Sequence, residues 1–297
     1  MDSVMIGQVR RFNRIVTQRA GALDDHFLDR ARPLGQSRLL WEISPNGCDV
    51  RRLRLRLGLD SGYLSRLLRS LERGGLATVA PDSTDRRVRF ARLTAAGLAE
   101  RAELDRRSDA AAESILGALS DGQRARLVSA MADVERLLTA SQISISLADP
   151  RGSAPQSCLL AYFRELGNRF EGGFEPELSN SAHNEEMTLP AGLFLLATLY
   201  GEPVGCGALK FHPGEPAEIK RMWVSPATRG LGLGRTMLTE LEARAIAHGA
   251  TATRLETNRT LTEAISLYRS AGYREVEPFN AEPYAHHWFE KVLPAAE

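Results

Sequence analysis

Three glycines alternate within a short basic segment in the last third of the chain, Arg229-Gly-Leu-Gly-Leu-Gly-Arg235. An apolar run ending at Val224 precedes this segment, and apolar residues at helical spacing follow it as far as Gly249. The order strand, glycine loop, helix places unobstructed backbone N–H groups at the start of a helix, where they bind phosphate well. We therefore predict that this loop binds an anionic ligand.

Two common kinds of phosphate loop do not match the spacing. A Walker A loop requires Gly-Lys-Ser/Thr, whereas Arg235 follows Gly234. A dinucleotide fingerprint requires Gly-x-Gly-x-x-Gly, and its third glycine position is occupied by Arg235 or Met237, depending on where the count starts. The loop also follows three predicted strands, whereas a dinucleotide motif opens its βαβ unit. The spacing therefore disfavours both nucleoside triphosphates and dinucleotides.

The pattern Arg-x-x-Gly-x-Gly, beginning at Arg229, resembles the acetyl-CoA loop of the GNAT N-acetyltransferases. Two neighbouring segments extend the resemblance: Glu-Ile-Lys-Arg-Met-Trp-Val-Ser-Pro at 218–226, and Ala-Ile-Ser-Leu-Tyr-Arg-Ser-Ala-Gly-Tyr at 264–273, with Asn258 before the second. The resemblance covers about residues 157–293.

This resemblance implies acetyl-CoA as a co-substrate, no metal, and a role for each matched position. The loop main chain would bind the CoA pyrophosphate, and residues 222–224 would pair with the pantetheine arm, the Val224 N–H polarising the thioester carbonyl. Tyr268 would protonate the departing CoA thiolate, which depends on its position more than on its acidity. The implied cofactor-binding residues are Met222, Trp223, Val224, Arg229, Gly230, Leu231, Gly232, Leu233, Gly234, Arg235, Asn258 and Tyr268.

The acceptor amine arrives as an ammonium group, so a base must take its proton. Glu218, at the start of the predicted central strand, is the predicted base, acting directly or through water. A salt bridge from Glu218 to Lys220 or Arg221 is the alternative interpretation.

The first half of the chain predicts a different kind of domain. Apolar spacing predicts helices over 4–20, 35–43, about 50–57 and 62–73, then a β-hairpin from runs 76–79 and 88–93, and two further helices beginning at Thr94 and Asp121. A short helix, a recognition-type helix and a hairpin in this order are typical of a winged helix-turn-helix.

Segments 60–76, 82–87 and 93–97 resemble the MarR family of bacterial regulators, over about residues 4–140. Thr84 departs from the family's wing pattern, which commonly has Arg there. The resemblance implies a homodimer formed by the first and last helices, the fourth helix in the major groove and a wing arginine in the minor groove. Expected contacts to a palindromic double-stranded DNA operator come from Ser61, Tyr63, Ser65, Arg66, Arg69, Arg86 and Arg87.

Charge and composition agree with this division. Residues 1–147 contain 24 arginines and 18 acidic residues, a formal charge of +6, whereas residues 148–297 contain 14 basic and 19 acidic residues, a charge of −5. The asymmetry predicts a polyanion-binding first half. Three widely spaced cysteines indicate reduced thiols, and no apolar run is long enough for a membrane span, so we expect a cytoplasmic bacterial protein without a membrane partner, associated with the nucleoid when bound to DNA.

The second half predicts helices over 157–170, 233–248 and 261–271, and strands over 192–200, 203–211, 218–224, 253–257, 273–276 and 286–292. We therefore predict a mainly-α MarR-like domain at 1–145, a linker at 146–156 within the Pro- and Gly-containing run 142–157, and a GNAT α/β (α+β) domain with a mixed sheet at 157–297. The whole chain resembles fused MarR–GNAT proteins.

This organisation predicts a transcription regulator joined to an N-acetyltransferase that acetylates a primary amine, a small molecule or amino acid, in a ternary complex. Two alternatives stay open. The GNAT half could act only as a sensor of acyl-CoA, or it could acetylate lysines of proteins.

Overall fold

The computed structural model describes residues 2–22, 27–30, 32–82, 85–179 and 183–294. The chain divides into two compact units, Met1–Ala130 and Met131–Glu297, which are described in turn. Ser83 and Thr84, and with them the departure from the MarR wing pattern, lie outside the described residues.

The first unit is a helical domain with a small antiparallel sheet, as predicted. The sheet has the strand order β1-β3-β2, and β2 and β3 form the predicted hairpin. Its elements are α1 (Ser3–Arg19), α2 (Leu34–Glu42), β1 (Cys48–Asp49), α3 (Val50–Leu57), α4 (Ser61–Arg73), β2 (Ala77–Pro81), β3 (Arg89–Leu93), α5 (Ala95–Gly117) and α6 (Asp121–Ala140), the last of which continues into the second unit.

Helix α4 is positioned by its cap and by a stripe of leucines. The Asp60 carboxylate accepts a hydrogen bond from the Tyr63 N–H at 2.8 Å, which satisfies one free donor of the first turn. Leucines at 64, 67, 68 and 71 are buried against α2 and the hairpin, each contributing about 1.5–3 kcal/mol. The opposite face of the helix stays exposed.

Helices α1 and α6 have no buried residue in this single chain. Their apolar side chains nevertheless recur at helical spacing and are largely exposed to solvent. The exposed apolar residues are Val4, Met5, Ile6, Val9, Phe12, Ile15 and Val16 on α1, and Val128, Met131, Leu137 and Leu138 on α6.

The second unit is built on a seven-stranded mixed sheet with the order β4-β5-β6-β7-β8-β10-β9. Its elements are β4 (Ile143–Leu147), α7 (Ser153–Arg169), β5 (Gly192–Leu199), β6 (Glu202–Lys210), β7 (Ala217–Val224), α8 (Leu233–Ala247), β8 (Ala252–Thr257), α9 (Thr262–Ser270), β9 (Arg274–Val276) and β10 (His287–Val292). The pair β7–β8 is parallel, and the other pairings in the described residues are antiparallel.

The linker predicted at 146–156, within the run 142–157, is partly regular structure. Residues 143–147 form β4, which pairs with β5 from Ile143 opposite Leu199 to Leu147 opposite Leu195. Helix α7 begins at Ser153, with Pro155 in its first turn, where the missing N–H is tolerated. The irregular part is therefore confined to residues 148–152, and two residues separate α6 from β4.

Helices pack on both faces of this sheet. Helix α8 buries Met237, Leu238 and Leu241 against one face, and α7 buries Cys158 and Leu159 against the other. Among the described residues no helix combines the length and apolarity that crossing a membrane requires.

Two irregularities of β7 shape the centre of the sheet. Strands β7 and β8 pair only at Ala217–Thr253 and Glu218–Arg254 and then diverge, which opens a cleft between them. On its other edge, β7 carries a bulge, because two of its residues occupy the interval opposite Gly207 of β6. Arg221, in this bulge, has φ +55°.

Candidate active site and DNA interface

The glycine loop has the geometry of an anion-binding helix start. Gly230 and Gly232 have φ of +82° and +80°, which favours glycine, and nothing lies within 4 Å of where a Cβ would stand. Gly232 is the N-cap of α8 and provides no side-chain acceptor. The first N–H groups of α8 have no intrahelical acceptor and are available to a ligand.

The free edge of β7 faces the cleft. The Ser225 N–H donates to the Val204 carbonyl of β6 at 2.9 Å, so the N–H of Val224 points to the opposite edge, because these directions alternate along a strand. The Val224 carbonyl, on that same edge, accepts a hydrogen bond from Arg229 at 3.3 Å. Val224 therefore presents its N–H to the cleft.

These elements enclose one cleft of about 550 Å³, open to solvent. Most of its wall comes from β7, the glycine loop, α7 and α9, and it contains most of the residues predicted to bind acetyl-CoA. The lining residues are Tyr162, Glu165, Leu166, Arg169, Met222, Trp223, Val224, Thr228, Arg229, Gly230, Gly232, Leu233, Gly234, Arg235, Leu261, Glu263, Ala264, Leu267 and Tyr268.

Glu165 on α7 holds two of these residues in place. Its carboxylate accepts hydrogen bonds from the Trp223 indole N–H at 2.8 Å and from the Arg229 guanidinium at 2.6 Å. Burial alone would raise the pKa of Glu165, but Arg229 and Trp223 lower it below its usual value. Arg235 donates to the Ser270 hydroxyl at 2.6 Å, so both loop arginines are tied to α7 or α9.

Tyr268 lies at the inner end of the cleft. Its side chain is 7% exposed, and its hydroxyl points to the Met222 sulfur, with 3.9 Å between oxygen and Sδ. Burial raises the pKa of the phenol, so Tyr268 stays protonated at neutral pH. The site therefore has a hydrogen-bond donor directed at a sulfur atom.

A second pocket, of about 100 Å³, lies further along the space between β7 and β8. The two cavities meet along a shared wall, which consists of Tyr162, Leu166, Met222, Leu261, Ala264 and Tyr268. Its remaining wall combines aromatic rings with charged, polar and apolar groups: Phe170, Phe174, Ser179, Ile219, Lys220, Arg221, Leu255, Glu256, Thr257, Asn258, Glu282, Tyr284 and Ala285.

The structure does not support Glu218 as the base. Its carboxylate bonds to Arg254 Nη2 at 2.8 Å and pairs with Lys220 Nζ at 3.2 Å, and it lines neither cavity in the described part of the chain. Burial would raise the pKa of Glu218, but Lys220 and Arg254 lower it overall. Glu218 lies where β7 and β8 still pair, before they diverge, so it belongs to the sheet and not to the cleft. The alternative interpretation, a salt bridge to Lys220, is the one observed.

Asn258 also has a different environment from the one predicted. It lines the second pocket and not the larger cleft, and its amide nitrogen donates to the Tyr284 carbonyl at 2.7 Å. Its amide oxygen accepts from the Thr260 N–H at 3.0 Å. Asn258 therefore ties the segment around Tyr284 to the end of β8.

Sequence reasoning missed several polar residues of the two cavities, among them Tyr162, Glu165, Arg221, Glu256 and Glu282. Tyr162 and Glu165 are three residues apart in a predicted helix, so the sequence predicts that they share a face of that helix. It does not predict which other elements that face contacts. Glu256 pairs with Lys220 at 2.6 Å, and Glu282 accepts from the Ser179 hydroxyl at 2.9 Å. Burial raises the pKa of Tyr162 to about 12.

In the first unit, the predicted DNA-contacting side chains lie on α4 and in the wing turn, and all but Ser65 are exposed. Ser61, Tyr63, Arg66 and Arg69 are exposed, and Ser65 is half-buried. The Arg66 guanidinium lies 5.6 Å from the centre of the Tyr63 ring. Arg86 is exposed, and Arg87, also exposed, pairs with Asp85 at 3.1 Å in the wing turn.

Comparison with known proteins agrees with the two units. Residues 160–273 match the model of the acetyltransferase (GNAT) family, and residues 30–88 match that of the MarR family. The chain is 36% identical over 136 residues to an IAA acetyltransferase of Azospirillum brasilense, covering 45% of this chain and 87% of that protein.

Two further relatives match the same half. An uncharacterized N-acetyltransferase of Schizosaccharomyces pombe is 37% identical over 98 residues, which is 32% of this chain and 59% of that protein. A crystal structure of a GNAT family acetyltransferase from Elizabethkingia anophelis with acetyl-CoA bound has 19% identity and a TM-score of 0.39, over 51% of this chain and 99% of that one.

A mixed sheet that opens at a glycine-started helix defines an acyltransferase fold, and the chain belongs to the GNAT acetyltransferase family. It combines this N-acetyltransferase domain, of the acyltransferase class EC 2.3.1, with a MarR-family domain in one polypeptide.

Proposed function

We propose that the GNAT domain transfers the acetyl group of acetyl-CoA directly to the primary amine of a small molecule within a ternary complex. The carrying observation is the junction of two cavities at Tyr162, Met222 and Tyr268. The larger cleft extends from this junction to the glycine loop, and the second pocket extends from it to the aromatic residues Phe170, Phe174 and Tyr284. Two substrates entering from the two sides therefore meet at the same point.

The larger cleft fits acetyl-CoA. Its glycine loop places free N–H groups around an open space for the pyrophosphate, and the unpaired edge of β7 suits the amides of the pantetheine arm. Bound acetyl-CoA supplies an activated thioester. The amine nitrogen forms a bond to the acetyl carbon, the carbon–sulfur bond breaks, the amine loses a proton and the sulfur gains one.

Two groups of the chain stabilise the charges of this reaction. The Val224 N–H, directed into the cleft, donates to the carbonyl oxygen as it becomes negative, a contact typically worth about 3 kcal/mol in the transition state. Tyr268 retains its proton, because burial raises the pKa of the phenol, and its hydroxyl donates to the leaving sulfur.

The acceptor pocket offers two carboxylates for the ammonium group. We assign two roles to Glu256 and Glu282 in place of Glu218: they attract the ammonium group of the acceptor, and they accept its proton through water. Both carboxylates line the pocket, although Glu256 also pairs with Lys220, whereas Glu218 is held by Arg254 and Lys220 and lines neither cavity in the described residues.

For the first unit, we propose binding to a palindromic operator as a homodimer. The exposed apolar stripes of α1 and α6 supply surface for a second copy. The exposed Arg66 and Arg69 of α4 suit the major groove, and the wing arginines suit the adjacent minor groove. Bacterial cytoplasm is the corresponding location.

The name of the Azospirillum relative favours a small-molecule acceptor over a protein lysine. The decisive experiment measures thiol release from acetyl-CoA across a panel of primary amines, with mass spectrometry of the products, and the shift of the flanking intergenic DNA at low salt. We expect acetylation of one class of small amine and a salt-sensitive shift. Binding of CoA without thiol release in the presence of any amine would support the alternative of an acyl-CoA sensor. Acetylation restricted to lysine-rich proteins would support the alternative of a protein lysine acetyltransferase.

A further inference from the structure

Arg221 is a half-buried cation of the acceptor pocket that forms no salt bridge within the described residues. Its guanidinium carbon lies 4.5 Å from the centre of the Phe163 ring, and its Nε is buried without a hydrogen-bond partner. Within the described ranges, no carboxylate pairs with it. The other basic groups around the pocket are neutralised, since Lys220 pairs with Glu218 and Glu256, and Arg254 pairs with Glu218.

An unpaired guanidinium in such a place is costly. Burial lowers the pKa of Arg221 through the lost hydration of its charged form, and neighbouring charges, that of Glu282 among them, offset this effect only in part. A charge taken out of water is normally compensated by an opposite charge and by hydrogen bonds. The fork of N–H donors on arginine matches a carboxylate through two parallel hydrogen bonds.

The backbone at Arg221 is also held in an unfavourable conformation. With φ +55° it occupies the left-handed region, where glycine or asparagine is preferred to arginine. The bulge opposite Gly207 imposes this conformation and redirects the side chain of Arg221 relative to a regular strand. Such strain persists where the surrounding structure maintains it, and it concentrates at functional sites.

The other walls of the pocket specify the rest of the ligand. Two carboxylates on the wall can accept hydrogen bonds from an ammonium group: Glu282, and Glu256 beside its partner Lys220. The rings of Phe170, Phe174 and Tyr284 contact one another, with centre-to-centre distances of 4.9 Å for Phe174–Tyr284 and 5.8 Å for Phe170–Tyr284, and form an apolar wall. Within the described residues, a guanidinium without a salt bridge, two carboxylates and an aromatic wall complement a zwitterion with an apolar side group.

We infer that Arg221 binds the carboxylate of the acceptor, which makes the acceptor an amino acid with an apolar or aromatic side chain. This inference rests on the proposed acetyl transfer and specifies its substrate class. Arg221 holds the acceptor by its carboxylate, while the amine reaches the junction near Tyr268.

The test uses amines paired with and without the carboxylate: phenylalanine with 2-phenylethylamine, tryptophan with tryptamine, and leucine with isopentylamine. We compare kcat/KM for the full-length wild type, Arg221→Met and Arg221→Lys. Arg164→Met, which removes an exposed arginine from α7, is the matched control. The wild type is expected to prefer one amino acid over its decarboxylated partner by about 100-fold, as expected for a site that hydrogen-bonds a charged group of the substrate.

Arg221→Met is expected to lower kcat/KM for that amino acid by about 100-fold and to change the value for the decarboxylated amine less than about threefold. Arg221→Lys should keep part of the preference because it retains the charge without the fork. Arg164→Met should match the wild type. An equal loss for both members of a pair, or a wild type that does not distinguish them, would overturn the inference while leaving acetyl transfer intact.

Two measurements distinguish a role of Arg221 in binding from a role in stability, and test it independently of acetyl transfer. Arg221→Gly removes the guanidinium and accommodates φ +55°, so it should unfold at no lower temperature than the wild type and still lose the preference. Calorimetric titration of phenylalanine, tryptophan and leucine into the CoA-bound protein tests binding without turnover. At least one should bind the wild type and bind Arg221→Met at least tenfold more weakly, even if no amine is acetylated; equal binding would refute the role of Arg221.

Discussion

The hydroxyl of Tyr268 and the sulfur of Met222 lie 3.9 Å apart at the junction of the two cavities. Met222 belongs to the strand that opens the cleft, and Tyr268 belongs to α9, 46 residues later. The sulfur of Met222 occupies the kind of acceptor position that the thiolate of CoA requires. The pair therefore connects the strand geometry to the predicted role of the tyrosine.

Tyr268→Phe removes this donor. We expect kcat to fall about 100- to 10,000-fold, the usual range for losing an acid–base group, with the dissociation constant of acetyl-CoA changed less than about threefold. Thiol release and calorimetry measure the two quantities. Tyr273→Phe is the control, since its hydroxyl bonds to Thr253 Oγ1 at 2.8 Å in the core, and it should cost about 1 kcal/mol of stability with kcat retained. Unchanged turnover in Tyr268→Phe would remove it from the mechanism.

Gly232→Ala tests the phosphate-binding loop. At φ +80°, alanine in place of Gly232 is strained by about 1 kcal/mol. The loop of the variant should relieve this strain by shifting its backbone N–H groups. We expect KM for acetyl-CoA to rise about tenfold with kcat little changed. Gly249→Ala, at φ +83° beyond the other end of α8, imposes the same strain away from the cleft. If the two variants had equal KM values, the loop would not be the binding site.

Glu218→Gln tests the structural role of this carboxylate. We expect the free energy of unfolding to fall by about 1 kcal/mol at pH 7, because Lys220 and Arg254 each lose one of their two carboxylate partners, while kcat/KM at 25 °C stays within about threefold. The pKa of Glu218 is lowered in the folded state, so its contribution is present above the unfolded pKa of about 4.3 and is lost as the pH falls through the folded value. Urea unfolding from pH 7 downward should show the two proteins converging as the pH falls below the unfolded pKa of about 4.3; a loss of turnover without a loss of stability would restore Glu218 as the base.

Glu256→Gln and Glu282→Gln test the acidic groups of the acceptor pocket. We expect at least one of them to lower kcat/KM for the amine at least tenfold, and less so at high pH, where the amine arrives already deprotonated. The pH dependence of thiol release at saturating acetyl-CoA measures this. A pH profile identical to that of the wild type in both variants would exclude these carboxylates as proton acceptors.

Arg66→Ala and Arg69→Ala test the recognition surface of α4. Loss of an arginine that contacts a base edge should reduce the binding free energy for the operator by about 1–3 kcal/mol. Loss of a phosphate contact should instead weaken binding to all DNA sequences equally and reduce the slope of log affinity against log salt concentration by about one. Fluorescence anisotropy between 50 and 200 mM salt distinguishes the two cases. Equal affinity of a double variant and the wild type for operator DNA would contradict the proposed interface, and Arg164→Met again serves as the control.

Sequence alone determined the features that depend on neighbours along the chain. The leucine stripe and the Asp60 cap of α4, the hairpin, and the strand–glycine–helix order around Gly232 are local patterns, and the structure confirms all of these elements. Strand β4 was also readable, since residues 143–147 alternate apolar and polar side chains, but Pro150 and Gly152 favoured a linker. Its partner, β5, lies about 50 residues further on.

Only the tertiary structure decided which charged groups serve the cleft. Glu218, Arg221 and Glu256 are all polar residues of predicted strands, and alternation assigns them faces but not partners. Glu218 is held where β7 and β8 still pair, whereas Glu256 lies where they have diverged. Arg221 is redirected by a bulge opposite Gly207. The divergence of β7 and β8 and the bulge in β7 both arise from pairing between strands that are distant in sequence. For this reason the spacing around the glycine loop predicted acetyl transfer but not the acceptor pocket.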